Sequence, residues 1–365
     1  MGNDINCLLS GNNSQENDDK YNSISSHVYE VKKEPKTEPK KETKLEVKKE
    51  PYKKYKILKL NEFNLKNNYG NVDDIQYIKS IKSLFLLVDK SIICYTFPDY
   101  INDKHIVRHL RYETIDSFTY LEKANIIATF YWKKGTTIYS IINNTLILKE
   151  LIDICFIKII EIDSNRFIAL KYNEGCSMYQ CFNQKYEKIN IFKYKNFNSM
   201  DINPSKNKLI LNLNDGDHIF ILDVKKFQLI FLISNKNIYK DSLMYFLNDI
   251  NFIIINSSFR FNIFSVMEYK PLISYSKYFD EMYQKHYYKN TIFEKIGDNK
   301  FIISNFELMK IFQYKNNTII EIGNFPLRIY SLRILNDNLY IGEDNCVNIY
   351  KLEIDKQIYY NYTYI

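Results

Sequence analysis

An aromatic residue preceded by an apolar or sulfur-bearing one recurs along this chain at Cys94-Tyr95, Ile138-Tyr139, Met178-Tyr179, Ile219-Phe220, Ile263-Phe264, Ile311-Phe312 and Ile349-Tyr350. The intervals are 44, 40, 41, 44, 48 and 38 residues. Each aromatic follows an apolar run: Leu84–Val88, Ile126–Tyr131, Phe167–Leu170, Leu209–Leu213, Phe252–Ile255, Phe301–Ile303 and Leu339–Ile341. From the second copy on, an asparagine stands before or at the edge of that run, at Asn125, Asn165, Asn207, Asn251, Asn299 and Asn338. A repeat of about 40 residues with room for about four strands is the size of one propeller blade. Seven copies predict an all-β, seven-bladed β-propeller over residues 53–365, in units near 75–110, 115–150, 154–193, 197–233, 240–275, 290–322 and 327–360.

The fourth unit shows the local grammar best. Asn207-Lys-Leu-Ile-Leu-Asn-Leu-Asn-Asp-Gly-Asp-His-Ile-Phe-Ile-Leu-Asp223 reads as two strands, Leu209–Leu213 and His218–Leu222, joined at Asn214-Asp215-Gly216. Glycine accepts the positive φ of a tight turn, so Asp-Gly between apolar segments signals a hairpin. Upstream, Met200-Asp-Ile-Asn-Pro-Ser-Lys-Asn-Lys-Leu209 supplies a first strand and turn. The order of apolar run, Asp-Gly-type turn and aromatic-centred strand resembles the WD40-repeat propellers. The resemblance covers about residues 53–365, although the family's Trp-Asp dipeptide and opening Gly-His pair are absent. Trp132, the single tryptophan, lies elsewhere. The resemblance implies a binding platform without catalysis, and no cofactor.

Composition agrees with strands: 32 tyrosines and 24 phenylalanines join abundant isoleucine, with only 9 glycines in 365 residues. Aromatic and β-branched side chains suit a pleated surface. The six cysteines are scattered without a Cys-x-x-Cys pair, and nothing at the N-terminus reads as a secretory signal. A reducing, cytoplasmic compartment is the expectation, with a nuclear location left open. Cys94 and Cys346 fall in strand patterns as buried thiols. No run of 18 apolar residues is present.

The first 52 residues differ in kind. Val31–Glu50 is a four-residue tandem with fixed Lys and Glu positions, interrupted by Pro35 and Pro39. Such a segment buries no core and opposes a continuous helix, so a disordered low-complexity tail is expected over residues 1–52. Between Lys32 and Lys59 stand 12 lysines against five glutamates, whereas residues 1–31 hold five acids and one lysine. The near absence of arginine from the tail argues against nucleic acid as a partner. The start Met1-Gly-Asn-Asp-Ile-Asn-Cys7 makes Gly2 a candidate myristate site, with Asn6 where Ser or Thr is usual, and Cys7 a candidate palmitate site. Stable anchoring takes two such signals, and nearby lysines add attraction to anionic lipid. A membrane surface is therefore an expected partner of the tail.

Two further expectations concern the ring. Its last blade is to be completed either by Tyr55–Leu60 or by Gln357–Ile365, because closure removes a free edge. In the longest interval, Phe279, Met282, Tyr283, His286 and Tyr287 share one face of a helix. Phe279, Met282, Tyr283 and Tyr287 are candidate partner-binding residues there, since such side chains are enriched in interface cores; packing on the rim is the alternative role.

Catalytic patterns are sparse. Gly-rich phosphate loops, a Gly-x-Ser-x-Gly elbow and a His-Glu-x-x-His pair are missing. His105 and His109 flank Ile106-Val107 and read as strand, where their spacing is about 13 Å. Cys176 and Cys181, five apart, point to opposite strand faces. No catalytic, metal or cofactor residue is assigned, and no small-molecule substrate is expected. The expected function is a non-enzymatic scaffold that binds other proteins. One alternative is a phosphoinositide-binding propeller, for which Phe259-Arg-Phe-Asn262 is only part of the Phe-Arg-Arg-Gly motif. Another is a propeller enzyme, which would gather acids or histidines on the central channel.

Overall fold

The computed structural model of the chain describes residues 55–65, 70–96, 104–107, 115–131, 135–142, 145–171, 175–213, 218–234, 242–256, 260–268, 271–275, 291–297, 299–315 and 318–354. Among them, regular structure is β-strand apart from a 3-10 turn at Lys79–Ile81. Seven four-stranded antiparallel sheets form seven blades. Blade 1 is β2 (Val72–Ile78), β3 (Ser83–Val88), β4 (Ser91–Thr96) and β5 (Lys104–Val107). Blade 2 is β6 (Ser117–Leu121), β7 (Ile126–Tyr131), β8 (Gly135–Ile142) and β9 (Thr145–Ile152). Blade 3 is β10 (Phe156–Glu161), β11 (Arg166–Lys171), β12 (Gly175–Phe182) and β13 (Lys185–Phe192). Blade 4 is β14 (Phe197–Ile202), β15 (Lys208–Leu213), β16 (His218–Asp223) and β17 (Gln228–Ser234). Blade 5 is β18 (Leu243–Phe246), β19 (Asn251–Ile255), β20 (Phe261–Ser265) and β21 (Pro271–Tyr275). Blade 6 is β22 (Ile292–Ile296), β23 (Lys300–Ser304), β24 (Met309–Lys315) and β25 (Thr318–Phe325).

Blade 7 closes the ring. Its strands β26 (Ser331–Leu335), β27 (Asn338–Glu343) and β28 (Cys346–Ile354) are completed by β1 (Tyr55–Asn64), which pairs antiparallel with β28 from Tyr55 opposite Ile354 to Asn64 opposite Cys346. So Tyr55–Leu60, not the C-terminal stretch, supplies the outermost strand; Gln357–Ile365 lies outside the described residues. The β1 end is fastened where the Lys300 ammonium donates to the Tyr55 hydroxyl at 2.7 Å.

The repeat aromatics all occupy the third strand of a blade and all are buried. Each faces an apolar residue of the second strand: Leu84 opposite Tyr95, Ile127 opposite Tyr139, Phe167 opposite Tyr179, Leu211 opposite Phe220, Phe252 opposite Phe264, Phe301 opposite Phe312 and Leu339 opposite Tyr350. In blades 2, 3, 5 and 6 a bulge toward the outer strand falls between the aromatic and the apolar residue before it. A bulge increases local twist in the strand that carries it.

Second strands are continuous apolar runs because both their faces are covered. Along β3, Leu84, Leu86 and Val88 pack against blade 7, whereas Phe85 and Leu87 pack against blade 2. The same alternation produces seven separate cores, one for each interface between successive blades, including the one between blades 7 and 1. A ring of sandwiched sheets thus leaves only outer strands with an open edge. The repeat asparagines extend the ladders: the backbone carbonyls of Asn125, Asn165, Asn207 and Asn299 accept from Ile141, Cys181, Val224 and Tyr314.

Candidate functional site

The first strand of each blade runs along the central axis, so the side chains these strands turn inward meet there. On the seven inner strands a buried apolar residue recurs (Ile75, Phe118, Ile159, Met200, Met244, Phe293, Leu332), and the residues on either side of it share the opposite face. Those flanking positions hold Asp74 and Gln76, Lys158, Ser199 and Asp201, Tyr245, Glu294, and Ser331 and Arg333. Six of the seven blades therefore place a charged or phenolic group on one lumen.

Arg333 is its centre. The guanidinium bonds to a Glu294 carboxylate oxygen, reaches Asp74 Oδ1 at 3.4 Å, and donates from Nε to the Ile75 carbonyl at 2.8 Å. One side chain of blade 7 thereby holds blades 6 and 1. Asp74 also accepts from the Ile75 amide at 2.8 Å and from Gln76 Nε2 at 3.2 Å. Gln76 then bridges to blade 2, donating to the Phe118 carbonyl at 2.9 Å and accepting from the Tyr120 amide at 2.8 Å. Across the ring, Asp201 accepts from the Phe246 amide at 2.7 Å, and Ser199 Oγ accepts from the Met244 amide at 3.0 Å, tying blade 4 to blade 5. Ser331 Oγ donates to the Val72 carbonyl at 2.6 Å between blades 7 and 1. Inner strands are thus stitched by side chains onto their neighbours' backbones, and each such bond replaces one otherwise made to water.

Lys158 differs from the others. Its ammonium lies 5.1 Å from the centroid of the Tyr245 ring, which belongs to a blade two places on, so the side chain crosses the lumen. The Tyr245 ring in turn stacks on Phe293 at 4.4 Å. No hydrogen-bond acceptor for Lys158 Nζ is present among the described residues.

Solvent reaches the lumen only in part: 38% of the Arg333 side chain, 22% of Asp74 and 16% of Glu294 are exposed. Protein surrounds these groups on the remaining sides, which sets their protonation. Burial raises the carboxyl groups of Asp74 and Glu294 above their ordinary values, and Arg333 offsets part of that. Burial likewise raises Asp201, against the pull of Lys158. It lowers Lys158, aided by Arg333 and opposed by Asp201. For Arg333 burial works downward, but the carboxylates of Asp74 and Glu294 outweigh it and the net shift is up. The Tyr245 phenol is pushed up by burial and by the neighbouring acids Asp201 and Glu294. Loss of hydration sets every direction but that of Arg333, and the opposite charges only moderate it.

Acids do collect on the channel, the arrangement expected of a propeller enzyme. Each of the three, however, is bonded: Asp74 and Glu294 to Arg333, Asp201 to a backbone amide.

A second surface lies on the outer strands of blades 3 and 4. Tyr194, just beyond β13, and Leu229 and Leu232 on β17 are exposed there; Ile191 on β13 is exposed too, but it pairs with Ser177 and lies on the opposite face, toward blade 2. Leu229 and Leu232 pair with Leu222 and Phe220, residues of the core between blades 3 and 4, so they face blade 3 at its rim. The Tyr194 ring lies 4.8 Å from Phe220 and 5.1 Å from Phe192, which floor this strip.

The candidate residues named from sequence fall unevenly. Gly2, Cys7 and the stretch holding Phe279, Met282, Tyr283, His286 and Tyr287 lie outside the described residues, as do His109, Phe259 and the turn 214–217. His105 is on β5. Cys176 packs into the core toward blade 4 and Cys181 against the core toward blade 2, on opposite faces. Cys94 is buried, but Cys346 is only half-buried, because it opens β28, opposite Asn64 at the end of β1. The channel residues and the outer strip were not singled out from sequence. Their signal was present as a lone charge within apolar segments such as Phe156-Ile-Lys-Ile-Ile160 and Ser331-Leu-Arg-Ile-Leu335. No known family model and no curated protein matches the chain.

Proposed function

We propose that this protein is a non-catalytic, WD40-like propeller scaffold that holds other proteins against its outer surface, with the acylated N-terminal segment carrying it to a membrane. The observation that supports this reading is the strip where blade 4 faces blade 3, Tyr194, Leu229 and Leu232, which stays apolar and exposed after the blade cores are complete. Exposed apolar surface of this kind marks interaction sites, and strands already ordered in a sheet present it at little ordering cost on binding. The channel fits the same reading, since its three acids serve as ligands for an arginine and a backbone amide rather than standing ready for proton transfer.

The test is affinity purification from native cells with quantitative mass spectrometry, comparing the wild type with Leu229→Asp/Leu232→Asp. Loss of a defined partner set at an unchanged melting temperature is expected. An identical partner set in both would refute the assignment to this strip. For the anchor, Gly2→Ala is expected to move the protein from membrane to soluble fractions; unchanged fractionation rejects acylation.

A further inference from the structure

We propose that Lys158 is a nucleophilic amine of the central channel, which condenses with a small uncharged aldehyde or ketone to form an imine. The inference is independent of the outer strip and of the scaffold reading.

Geometry carries it. Lys158 stands on β10, an axial strand, and its side chain spans the lumen to the face of Tyr245 at 5.1 Å. Every other charged group in the lumen is held by a hydrogen bond: Arg333, Glu294, Asp74 and Asp201. Lys158 offers three donors and finds no acceptor among the described residues, so its nitrogen is held only by the Tyr245 ring face. An aromatic face beneath it gives a flat apolar seat for a carbonyl carbon and its substituents. Burial and the nearby Arg333 both disfavour the ammonium and Asp201 favours it; the net shift is downward, which enlarges the free-amine fraction. Desolvated lysines beside another cation are the ones that act as nucleophiles.

The same charges select the ligand. With Lys158 as the free amine, Arg333 and three carboxylates share the lumen, so an anion meets Asp74, Asp201 and Glu294, and a cation meets Arg333. A neutral carbonyl compound meets neither repulsion. In the reaction the ammonium first gives a proton to water. The nitrogen lone pair then attacks the carbonyl carbon, a C–N bond forms, and the carbonyl oxygen leaves as water with the two hydrogens of the amine. No electrons are exchanged.

The test uses the full-length protein with glycolaldehyde and cyanoborohydride, which traps an imine as a secondary amine, followed by peptide mapping. Each unit by which an amine's pKa falls raises its free fraction about tenfold at neutral pH, so Lys158 is expected to be modified at least severalfold faster than the exposed Lys188 and Lys226. Its labelling rate is expected to level off at a lower pH than theirs. Lys158→Arg is expected to abolish the fast phase and leave surface labelling intact. Lys158 modification no faster than that of Lys188 and Lys226, or none at Lys158, in protein with an unchanged melt, overturns the proposal.

Discussion

Arg333→Met is the substitution whose consequence the channel geometry defines most sharply. The methionine keeps much of the volume and removes a guanidinium that serves blades 6, 7 and 1 at once. Breaking a buried ion pair by deleting one partner costs about 3–5 kcal/mol. Because 38% of this side chain meets solvent, water screens the residual carboxylates and about 2 kcal/mol is a fairer figure. Leaving the Ile75 carbonyl without its donor adds about 1 kcal/mol. For a ring of this size about 1 kcal/mol corresponds to roughly 1.5 °C, so the melting temperature is expected to fall by about 5 °C at neutral pH. The pH dependence gives the sharper signature. Asp74 and Glu294 already have folded-state pKa values above their unfolded ones, and Arg333 is what holds them down. Without it they rise further, so the folded state binds protons more tightly than the unfolded state. The variant therefore gains stability relative to wild type as pH falls from neutral through those raised values. Differential scanning calorimetry at low salt, at about pH 7 and about pH 5.5, is the assay. A deficit that is absent, or that is the same at both pH values, refutes the assignment of Arg333 as the counter-charge of the channel.

Other consequences are equally direct. Phe312→Ala removes a fully buried ring that packs on Phe261 and Phe301, and is expected to cost about 3–5 kcal/mol in chemical denaturation. Gly342→Ala drives a methyl group into Ser331 and to 2.8 Å from Val72 at the junction of blades 7 and 1, with an expected loss of about 1–3 kcal/mol in the same assay. Asn203→Ala removes the acceptor for the Asn207 and Lys208 amides and the donor to Asp249 on the neighbouring blade; a loss of about 1–3 kcal/mol is expected in the same assay. Deleting residues 1–52 is expected to leave the melt unchanged. Deleting 1–64 strips β1 from β28 and is expected to give oligomers in light scattering through the bared edge.

The blade count, the blade limits and the third-strand position of Tyr95, Tyr139, Tyr179, Phe220, Phe264, Phe312 and Tyr350 were legible in the sequence. Each depends on contacts within about 40 residues, and a strand buried on both faces announces itself as an unbroken apolar run. Which terminal strand closes the ring was not legible. Tyr55–Leu60 and Gln357–Ile365 have the same local character, and only the register against β28, nearly 300 positions away from β1, separates them. The outer strip was hidden for a related reason: Leu229 and Leu232 read as core by composition, and they are exposed because β17 lies at the rim, where neighbouring blades splay apart.

The channel divides most cleanly along this line. By itself the chain determined that Lys158, Asp201 and Arg333 stand singly between apolar residues in short strands, and that Asp74 and Glu294 stand beside a second charge, patterns equally suited to a face in water. Tertiary structure alone decided that they meet. Closing seven sheets about one axis brings residues up to about 260 positions apart within hydrogen-bonding reach, and long-range electrostatics of that kind leaves no periodic trace in sequence.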